Sequence, residues 1–459
     1  MDPKRNGKRA ALGLIALAAL GLTARADGLD ALLDGEAVWR LSAEAFMGDY
    51  QSSGFAFVDG QRVAKSSHPE LRFLGLRVWE ARVYFDAAAL SRVELSLYNK
   101  GDAGDLDQES FKELIARCAD AVSAFAGSKG MTGKTSNDRP NYYVNRRQWS
   151  KKPVGLQLEW AFVNAHRSGG QSVPFRAEFV KVLLVPVKEN GVVSVTGGTP
   201  AWANNATART VKVNVKSNAE GDVWVDNVPM VDQGQKGYCA AASAERLLRY
   251  YGRPVDQHEI AQLADTAAKG GTSLDGMVEA LDAVGKKYQL DQKDLIRSDS
   301  AKSFEKSRFN EMIDQYNRVA KQKKQPQLDY MDFAEETAPN VRSIDTMKIY
   351  AAMDAETLKE SKTRQSQGLE SFRKNIVQYT AQGVPLVWAC IVGKYPEKPD
   401  LGAEGAFGHI RLIIGYNAKT QEVLYSDSWG MGHTLKRLPI ADAWAMTFGL
   451  TVLKPRDVR

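Results

Sequence analysis

The chain has few cysteines, and this limits the kind of protein it is. Only three cysteines occur among 459 residues. A small exported protein held together by disulfides needs more, and an odd number leaves at least one unpaired. Three scattered cysteines also give no spacing typical of a zinc site. The sequence therefore predicts neither a disulfide scaffold nor a metal site.

Apolar runs of membrane length are missing as well. Residues 10–22 form an apolar run of 13 residues, whereas a bilayer span needs about 20. Four basic residues precede this run, and Ala24 and Ala26 follow it in small-x-small spacing, which is typical of a secretion signal. We predict that residues 1–26 are a cleaved signal peptide. The mature protein is then periplasmic or extracellular, with no stable membrane insertion. An uncleaved anchor or a short buried helix is the alternative.

A large excess of positive charge is absent once the signal is set apart. The whole chain has 61 Lys and Arg against 55 Asp and Glu. Residues 1–26 hold five of the basic residues and one acidic residue, so the remainder has 61−5 = 56 against 55−1 = 54, a net charge of +2. A charge this small gives no support to nucleic-acid binding, and no nucleic-acid partner is expected.

A phosphate-binding loop is missing too. The segment "GSKGMTGKTS" ends in Gly133-Lys134-Thr135, but Ser128 stands where the first glycine of such a loop belongs. The segment also follows a predicted helix rather than a strand, which argues against nucleotide binding.

The patterns that are present predict an α+β chain of two domains. Alternating segments around one amphipathic helix indicate a small α+β domain over residues 27–190, whose role the sequence does not show. Residues 191–227 read as a linker and a hairpin. A second domain follows over residues 228–459, with a helical insertion at about 293–362.

Packing accounts for two of the three cysteines. Cys118 shares a helical face with Phe111 and Val122, so it is predicted to lie in a core. Cys390 lies in "VPLVWACIVG", an apolar run typical of a buried strand. A bridge between Cys118 and Cys390 is an open alternative. Cys239 is the cysteine that packing does not explain.

Cys239 stands where a thiol is easily activated. It follows "QGQKGY" and precedes a segment of high helix propensity, residues 240–251. A helix N-terminus presents free N–H groups and partial positive charge, which favour the thiolate over the thiol. We therefore predict that Cys239 is a nucleophile.

A thiolate nucleophile needs an imidazole as proton donor and acceptor. Of the five histidines, His409 begins a predicted strand after the loop "DLGAEGAFG". The other four, at positions 68, 166, 258 and 433, occur in polar or turn-like contexts. His409 is the predicted partner of Cys239.

Asp427 is predicted to orient His409 from a neighbouring strand. If Ile413 pairs with Val423, the indices of paired residues sum to 836, and His409 then faces Asp427 directly. Opposite residues of an antiparallel pair have Cβ atoms about 5 Å apart. A turn residue at the end of the strand is the alternative role for Asp427.

Stabilisation of an oxyanion needs two hydrogen-bond donors. The backbone N–H of Cys239 is one candidate, and the side-chain amide of Gln233, six residues earlier, is the other. Gly237 and Gly408 are candidates for substrate contact, because glycine lets a backbone approach closely.

The segments "QGQKGYC", "GH" and "DSWG" together resemble the papain-like cysteine peptidases. The resemblance covers roughly residues 228–459 and is closest to the bacteriocin-processing (double-glycine leader) peptidases, a bacterial branch in which an aspartate is the third member of the triad. "YYG" and "GGTSLDGMVEALDAVG" resemble segments found there. The resemblance implies that Gln233, Cys239, His409 and Asp427 are functional, and that Trp429 shields the bond between histidine and aspartate.

The resemblance further implies a papain-like catalytic domain, in which the nucleophile's helix packs on an antiparallel sheet, preceded by the separate small α+β domain. The predicted function is an exported cysteine peptidase that acts on a peptide or protein without a cofactor. Three alternatives stay open: a cell-wall peptide amidase or acyltransferase with the same triad, a non-catalytic binding protein, and a main function in the first domain. The oligomeric state is not predicted.

Overall fold

The computed structural model describes most of the chain. The described residues are 28–59, 62–86, 89–133, 136–139, 141–168, 171–187, 211–233, 238–252, 260, 281–286, 288–296, 306–338, 341–344, 346–398, 406–456 and 458. The predicted signal peptide and most of the predicted linker lie outside them, as do Gly237 and His258.

The N-terminal part, residues 28–187, is built on one antiparallel sheet that we call the N-terminal sheet. Its strand order is β1-β2-β5-β6-β13-β10-β9-β7, and β8 also pairs with β9. Two small hairpins, β3–β4 and β11–β12, lie outside it. The strands are β1 (Ala56–Asp59), β2 (Val63–Ser66), β3 (Arg72–Phe73), β4 (Leu76–Arg77), β5 (Glu80–Asp86), β6 (Ala89–Asn99), β7 (Met131–Thr132), β8 (Ser136–Arg139), β9 (Tyr142–Lys151), β10 (Val154–Val163), β11 (His166–Ser168), β12 (Gln171–Val173) and β13 (Arg176–Pro186).

Helix α3 packs against this sheet. The Asp107 side chain accepts a hydrogen bond from the Ser110 N–H, and Gly127 ends the helix in the left-handed conformation. Its buried residues include Phe111, Cys118 and Val122, so the prediction that Cys118 lies in a core is confirmed. The helices of this part are α1 (Ala43–Asp49), α2 (Lys100–Ala103) and α3 (Gln108–Ala126), with short 3-10 helices at Leu29–Leu33, Val38–Arg40 and Gln51–Ser53.

The C-terminal part, from residue 211 onward, contains a second antiparallel sheet. Its strand order is β14-β15-β20-β19-β23-β16, and β21 joins β20 to β22. The predicted hairpin just before the second domain forms as β14 and β15 and extends this sheet beside β20. The strands are β14 (Val215–Ser217), β15 (Asp222–Val225), β16 (Leu290–Ile296), β17 (Ala334–Ala338), β18 (Val341–Ile344), β19 (Leu386–Val392), β20 (Phe407–Asn417), β21 (Glu422–Ser426), β22 (Lys436–Pro439) and β23 (Thr447–Pro455).

Helix α4, which begins at Cys239, packs on β20 of this sheet. The predicted amphipathic helix near residue 370 also forms, with Phe372, Ile376 and Tyr379 buried and Gly383 after its end at a φ of +75°. The helices include α4 (Cys239–Tyr250), α5 (Lys306–Gln322), α6 (Thr346–Ala352), α7 (Ala355–Thr363), α8 (Ser366–Ala381) and α9 (Ile440–Met446), with 3-10 helices at Tyr330–Phe333 and Met431–His433. Residues 281–286 are helical as well.

The segment predicted as a helical insertion, about 293–362, is only partly helical. Its first residues belong to β16, which pairs with β23 and forms an edge of the sheet. A hairpin of β17 and β18 stands between α5 and α6. The polar composition hid these strands, because a strand at a sheet edge keeps one side in solvent and needs few apolar residues.

Each sheet has its own large hydrophobic cluster, and the mixture of helices with antiparallel sheets agrees with the α+β class. All three cysteines are buried and unpaired, so the bridge between Cys118 and Cys390 is absent. Among the helices of the described residues, none has the length and apolarity that a membrane crossing requires.

Candidate active site

Cys239 is the first residue of α4. The backbone N–H of Ala242 donates to the Tyr238 carbonyl at 2.7 Å, which closes the first turn around the cysteine. Four of the next five residues are alanine, so the helix begins on side chains that cost little entropy to order. The thiol is 5 % exposed and lies at the positive end of the helix. This is the placement that the sequence predicts.

Strand β20 brings His409 to the start of this helix. The Ser243 hydroxyl, one turn into α4, donates to the Ile410 carbonyl of β20 at 3.3 Å. The imidazole of His409 is buried, and the indole of Trp429 stacks on it with centroids 4.2 Å apart and planes 15° apart. Cys239 is close enough to His409 to raise the pKa of the imidazole.

His409 and Asp427 meet, although the register assumed for them is wrong. Nε2 of His409 lies 2.6 Å from Oδ1 of Asp427, which leaves Nδ1 as the ring nitrogen for the Cys239 thiol. Ile413 pairs with Tyr425 rather than Val423, and a bulge follows at Ile413/Gly415. On the His409 side of the bulge the pairing is therefore two residues out of the assumed register, and on the turn side it is three residues out. His409 reaches Asp427 diagonally.

Arg411 occupies the position that the assumed register gave to His409. Leu412 pairs with Ser426, so continuing the ladder by one residue places Arg411 opposite Asp427. The Arg411 Nε lies 2.9 Å from Asp427 Oδ2, and its two terminal nitrogens bind the carboxylate of Glu397 at 2.8 and 2.9 Å. Lys436 and Tyr425 each contact Glu397 Oε2 at 2.8 Å.

This network controls charge at the site. Burial alone would lower the pKa of His409, but the charge and hydrogen bond of Asp427, followed by the contact with Cys239, raise it to about 9. Burial would raise the pKa of Asp427, but the charges of His409 and Arg411 hold it well below its usual range. The histidine is therefore cationic at neutral pH, and the aspartate is an anion.

Gln233 joins the same group through Ser428. Its backbone N–H donates to the Ser428 carbonyl at 2.8 Å, and its Oε1 accepts from the Ser428 hydroxyl at 2.7 Å. The Ser428 N–H in turn donates to Asp427 Oδ1 at 2.9 Å. The amide nitrogen of Gln233 is a hydrogen-bond donor, which is the kind of group that an oxyanion needs.

Arg246 connects the helix of Cys239 to both neighbouring segments. It is 1 % exposed and donates to the Pro229 carbonyl at 2.8 Å, to the Asp427 carbonyl at 2.9 Å, and to the Ser426 hydroxyl. Burial lowers the pKa of Arg246 to about 10. These three bonds hold α4, the segment before Gln233 and the end of β21 together.

The two residues that precede His409 in β20 are partly or largely exposed to solvent. Gly408 is half-buried, and Phe407 is 40 % exposed with its ring 6.3 Å from His409 and 6.4 Å from Trp429. Gly408 is next to His409 in β20, and its contact with substrate stays a prediction. The other predicted contact, Gly237, is outside the described residues.

Of the predicted residues, Cys239, His409, Asp427, Gln233 and Trp429 lie in one cluster. Arg411, Glu397 and Arg246 were not predicted from the sequence. The signal for Arg411 was present, since a charge inside "HIRLIIGYN" requires a buried partner. Arg246 had the same signal, because it stands within the small and apolar residues of "CAAASAERLLRYYG".

The arrangement provides the parts that acyl transfer through a thiol needs. A cysteine at a helix start contacts a cationic imidazole, an anion orients that imidazole, and an amide donor lies nearby. An indole covers one face of the imidazole.

A family model described as "Peptidase_C39 like family" matches this chain over residues 225–316 and 310–449. The two matched segments overlap at residues 310–316, so the matched range includes β16 and the whole segment predicted as an insertion. No curated protein matches the chain.

Proposed function

Because residues 225–449 belong to the Peptidase_C39-like family, we propose that the chain is a cysteine peptidase with Cys239 as nucleophile. The observation that carries the proposal is the bond of 2.6 Å between His409 Nε2 and Asp427 Oδ1, made while His409 also contacts Cys239. This chain of contacts gives each group one role in peptide hydrolysis.

The reaction begins when the Cys239 thiolate attacks a substrate carbonyl carbon. His409, cationic at neutral pH, forms the ion pair with the thiolate and then gives its proton to the leaving amine. Asp427 keeps the imidazole oriented and stabilises its charge. The carbonyl oxygen, which becomes an oxyanion, accepts hydrogen bonds from the Cys239 N–H and the Gln233 side-chain amide.

The second half of the reaction releases the acyl group. Neutral His409 takes a proton from water, the resulting hydroxide attacks the thioester carbonyl, and Cys239 leaves as the thiolate. Trp429, stacked on the imidazole, keeps bulk water away from the bond between His409 and Asp427. Apart from water, the steps use only these side chains and the Cys239 backbone N–H.

The substrate is a peptide or protein, and the site of action lies outside the cytoplasm. The basic start, the apolar run at residues 10–22 and the small residues Ala24 and Ala26 support export. Phe407, exposed beside the candidate triad, supports a substrate with an apolar side chain near the cleaved bond.

Alkylation tests the proposal without knowledge of the substrate. The mature protein is treated with limiting iodoacetamide at about pH 6, where an ordinary thiol, with a pKa of about 8.5, reacts slowly. We expect rapid labelling of Cys239, and loss of that rate in His409→Ala. Labelling of Cys239 no faster than a free peptide thiol would contradict the proposal and favour a binding role.

A further inference from the structure

The N-terminal sheet contacts the segment that carries Gln233. Lys65 of β2 is 7 % exposed, and its ammonium donates to the Asp232 carbonyl at 3.0 Å. The same ammonium lies 3.2 Å from Glu80 Oε2 and 3.7 Å from the Asp232 carboxylate. A cation from the N-terminal part is thus bonded to the backbone directly before the proposed oxyanion residue.

The N-terminal part also contacts the start of the nucleophile's helix. The ring of Tyr238, the residue before Cys239, lies against the backbone of α2 at Gly101. A Cβ at Gly101 would lie 2.7 Å from the ring carbon and hydroxyl of Tyr238. Real Cβ contacts are not this short, so a glycine is required for Tyr238 to lie where it does.

Further along α4, buried charged side chains of this helix form ion pairs with charged side chains of β5 in the N-terminal sheet. Glu245 of α4 is fully buried and lies 3.5 Å from Arg82 of β5 and 2.5 Å from Arg249. Arg82 binds Glu80 at 2.9 Å, and Arg249 lies over the ring of Tyr84 at 6.0 Å. A buried ion is tolerated only where it is paired, so this row of charges fixes how α4 lies on β5.

The N-terminal sheet also contacts the segment that follows Trp429. Strand β1 contacts the short helix Met431–His433, which follows Trp429. The Asp232 carboxylate lies 3.6 Å from the position that a Cβ on Gly430 would occupy. Residues 28–187 therefore contact each of the three segments that supply Gln233, Cys239 and Trp429.

We infer that the N-terminal sheet is a positioning element of the catalytic unit: it holds the start of α4 through Tyr238 and the oxyanion segment through Lys65. This inference assigns a role to the N-terminal part and rests on the proposed function. Lys65, Gly101 and Tyr238 are positioning residues, since they act through the neighbouring Gln233 and Cys239.

The first test inserts a side chain between α2 and Tyr238. Gly101→Val places methyl groups where the Tyr238 ring lies and moves the start of α4. We expect iodoacetamide labelling of Cys239 at about pH 6 to slow by about tenfold, because small displacements of reacting groups are costly. The matched control is Gly48→Val, in α1, where a Cβ meets nothing within 4 Å, and it keeps the wild-type rate.

A second substitution separates positioning from general damage. Tyr238→Leu removes the ring atoms that collide, so the double variant Gly101→Val/Tyr238→Leu regains the labelling rate of Tyr238→Leu alone. The inference is overturned if Gly101→Val labels at the wild-type rate, or if the double variant stays as slow as Gly101→Val.

Hydrogen exchange tests the contact between Lys65 and Asp232, and it does not depend on measuring enzyme activity. In Lys65→Met we expect amide exchange in peptides covering residues 229–233 to accelerate about tenfold, and Lys65→Arg to restore protection. The control is Lys181→Met, which removes another lysine of the same sheet from a buried glutamate, Glu159 at 3.1 Å. Equal exchange in Lys65→Met and Lys181→Met would refute the role of Lys65.

The outcomes distinguish this inference from the proposed function. If wild-type Cys239 labels slowly, the peptidase proposal fails, while accelerated exchange in Lys65→Met still supports the contact between the two parts. If wild-type Cys239 labels rapidly and both Gly101→Val and Lys65→Met behave as the wild type, the peptidase proposal stands and the positioning role is wrong.

Discussion

Two cysteines lie beside the same histidine in different surroundings. Cys390 is in the middle of β19 and pairs directly with His409 of β20, whereas Cys239 begins α4. Every residue of β19 is buried, and burial raises the pKa of the Cys390 thiol far above its ordinary value. Closeness to an imidazole is therefore not sufficient for a nucleophile. Cys239 differs from Cys390 in lying at a helix start, where the first N–H groups favour a thiolate.

The largest expected effect separates these two cysteines directly. Cys239→Ala is expected to lower kcat/KM for any cleaved peptide by at least about 10³-fold, since the nucleophile is lost. Cys390→Ala leaves a small cavity beside β20 and keeps kcat/KM within about threefold. Steady-state kinetics on both variants checks this. Retained hydrolysis in Cys239→Ala would show that another group attacks.

The next effect concerns the charges behind the histidine. Arg411→Met is expected to lower kcat/KM about 100-fold, because Asp427 and Glu397 lose a buried counter-ion. Arg411 helps to hold the pKa of Asp427 down, so the loss of activity on acidification moves to higher pH. The control is Arg437→Met on β22, which is half-exposed and pairs with Asp222. A pH profile of Arg411→Met that matches the control would contradict this role.

The pH dependence of the wild type follows from His409. Its folded-state pKa is raised above the unfolded value of 6.5 to about 9, so its contribution to stability is full below 6.5 and is lost as pH rises through about 9. Activity needs the same proton in the folded protein and is expected to fall as pH rises through about 9. In Asp427→Asn, the main cause of the raised pKa is removed, and the alkaline limb of kcat/KM moves down by about one to two pH units. An unmoved limb would rule out His409 as the titrating group.

The smallest change in kcat is expected for substitutions of Trp429. Trp429→Leu removes the ring stacked on His409 and admits water to its bond with Asp427, so kcat falls about fivefold. Trp429→Phe keeps an aromatic cover and stays within about twofold of the wild type. Both are measured at saturating peptide. Equal values for the leucine and phenylalanine variants would show that shielding has no catalytic role.

The sequence predicted the elements that carry strong local patterns. Helix α8 followed from the spacing of Phe372, Ile376 and Tyr379, and β19 from an unbroken apolar run. The motifs around Cys239 and Asp427 led to the family that residues 225–449 match. Each of these rests on residues close together in the chain.

What the sequence did not predict depends on distant partners. The turn between β20 and β21 lies later in the chain than assumed, since Asn417 pairs with Glu422, and the bulge at Ile413/Gly415 then changes the register by one residue. No local pattern marks either feature. Together they put Arg411, rather than His409, opposite Asp427. Strand β16 was taken as helical because only its pairing with β23 makes it a strand. The contact of Lys65 with Asp232 joins residues 167 positions apart.

The most direct test of the central claim is hydrolysis itself. A mixture of peptides is incubated with the mature protein in water enriched in oxygen-18, and new termini are identified by mass spectrometry. The account predicts new carboxyl termini that carry one heavy oxygen each, and none with Cys239→Ala, because water resolves the thioester. Products joined to an amine without heavy oxygen would show acyl transfer instead. The absence of any product, in a protein whose Cys239 labels rapidly and across a broad peptide mixture, would contradict a peptidase.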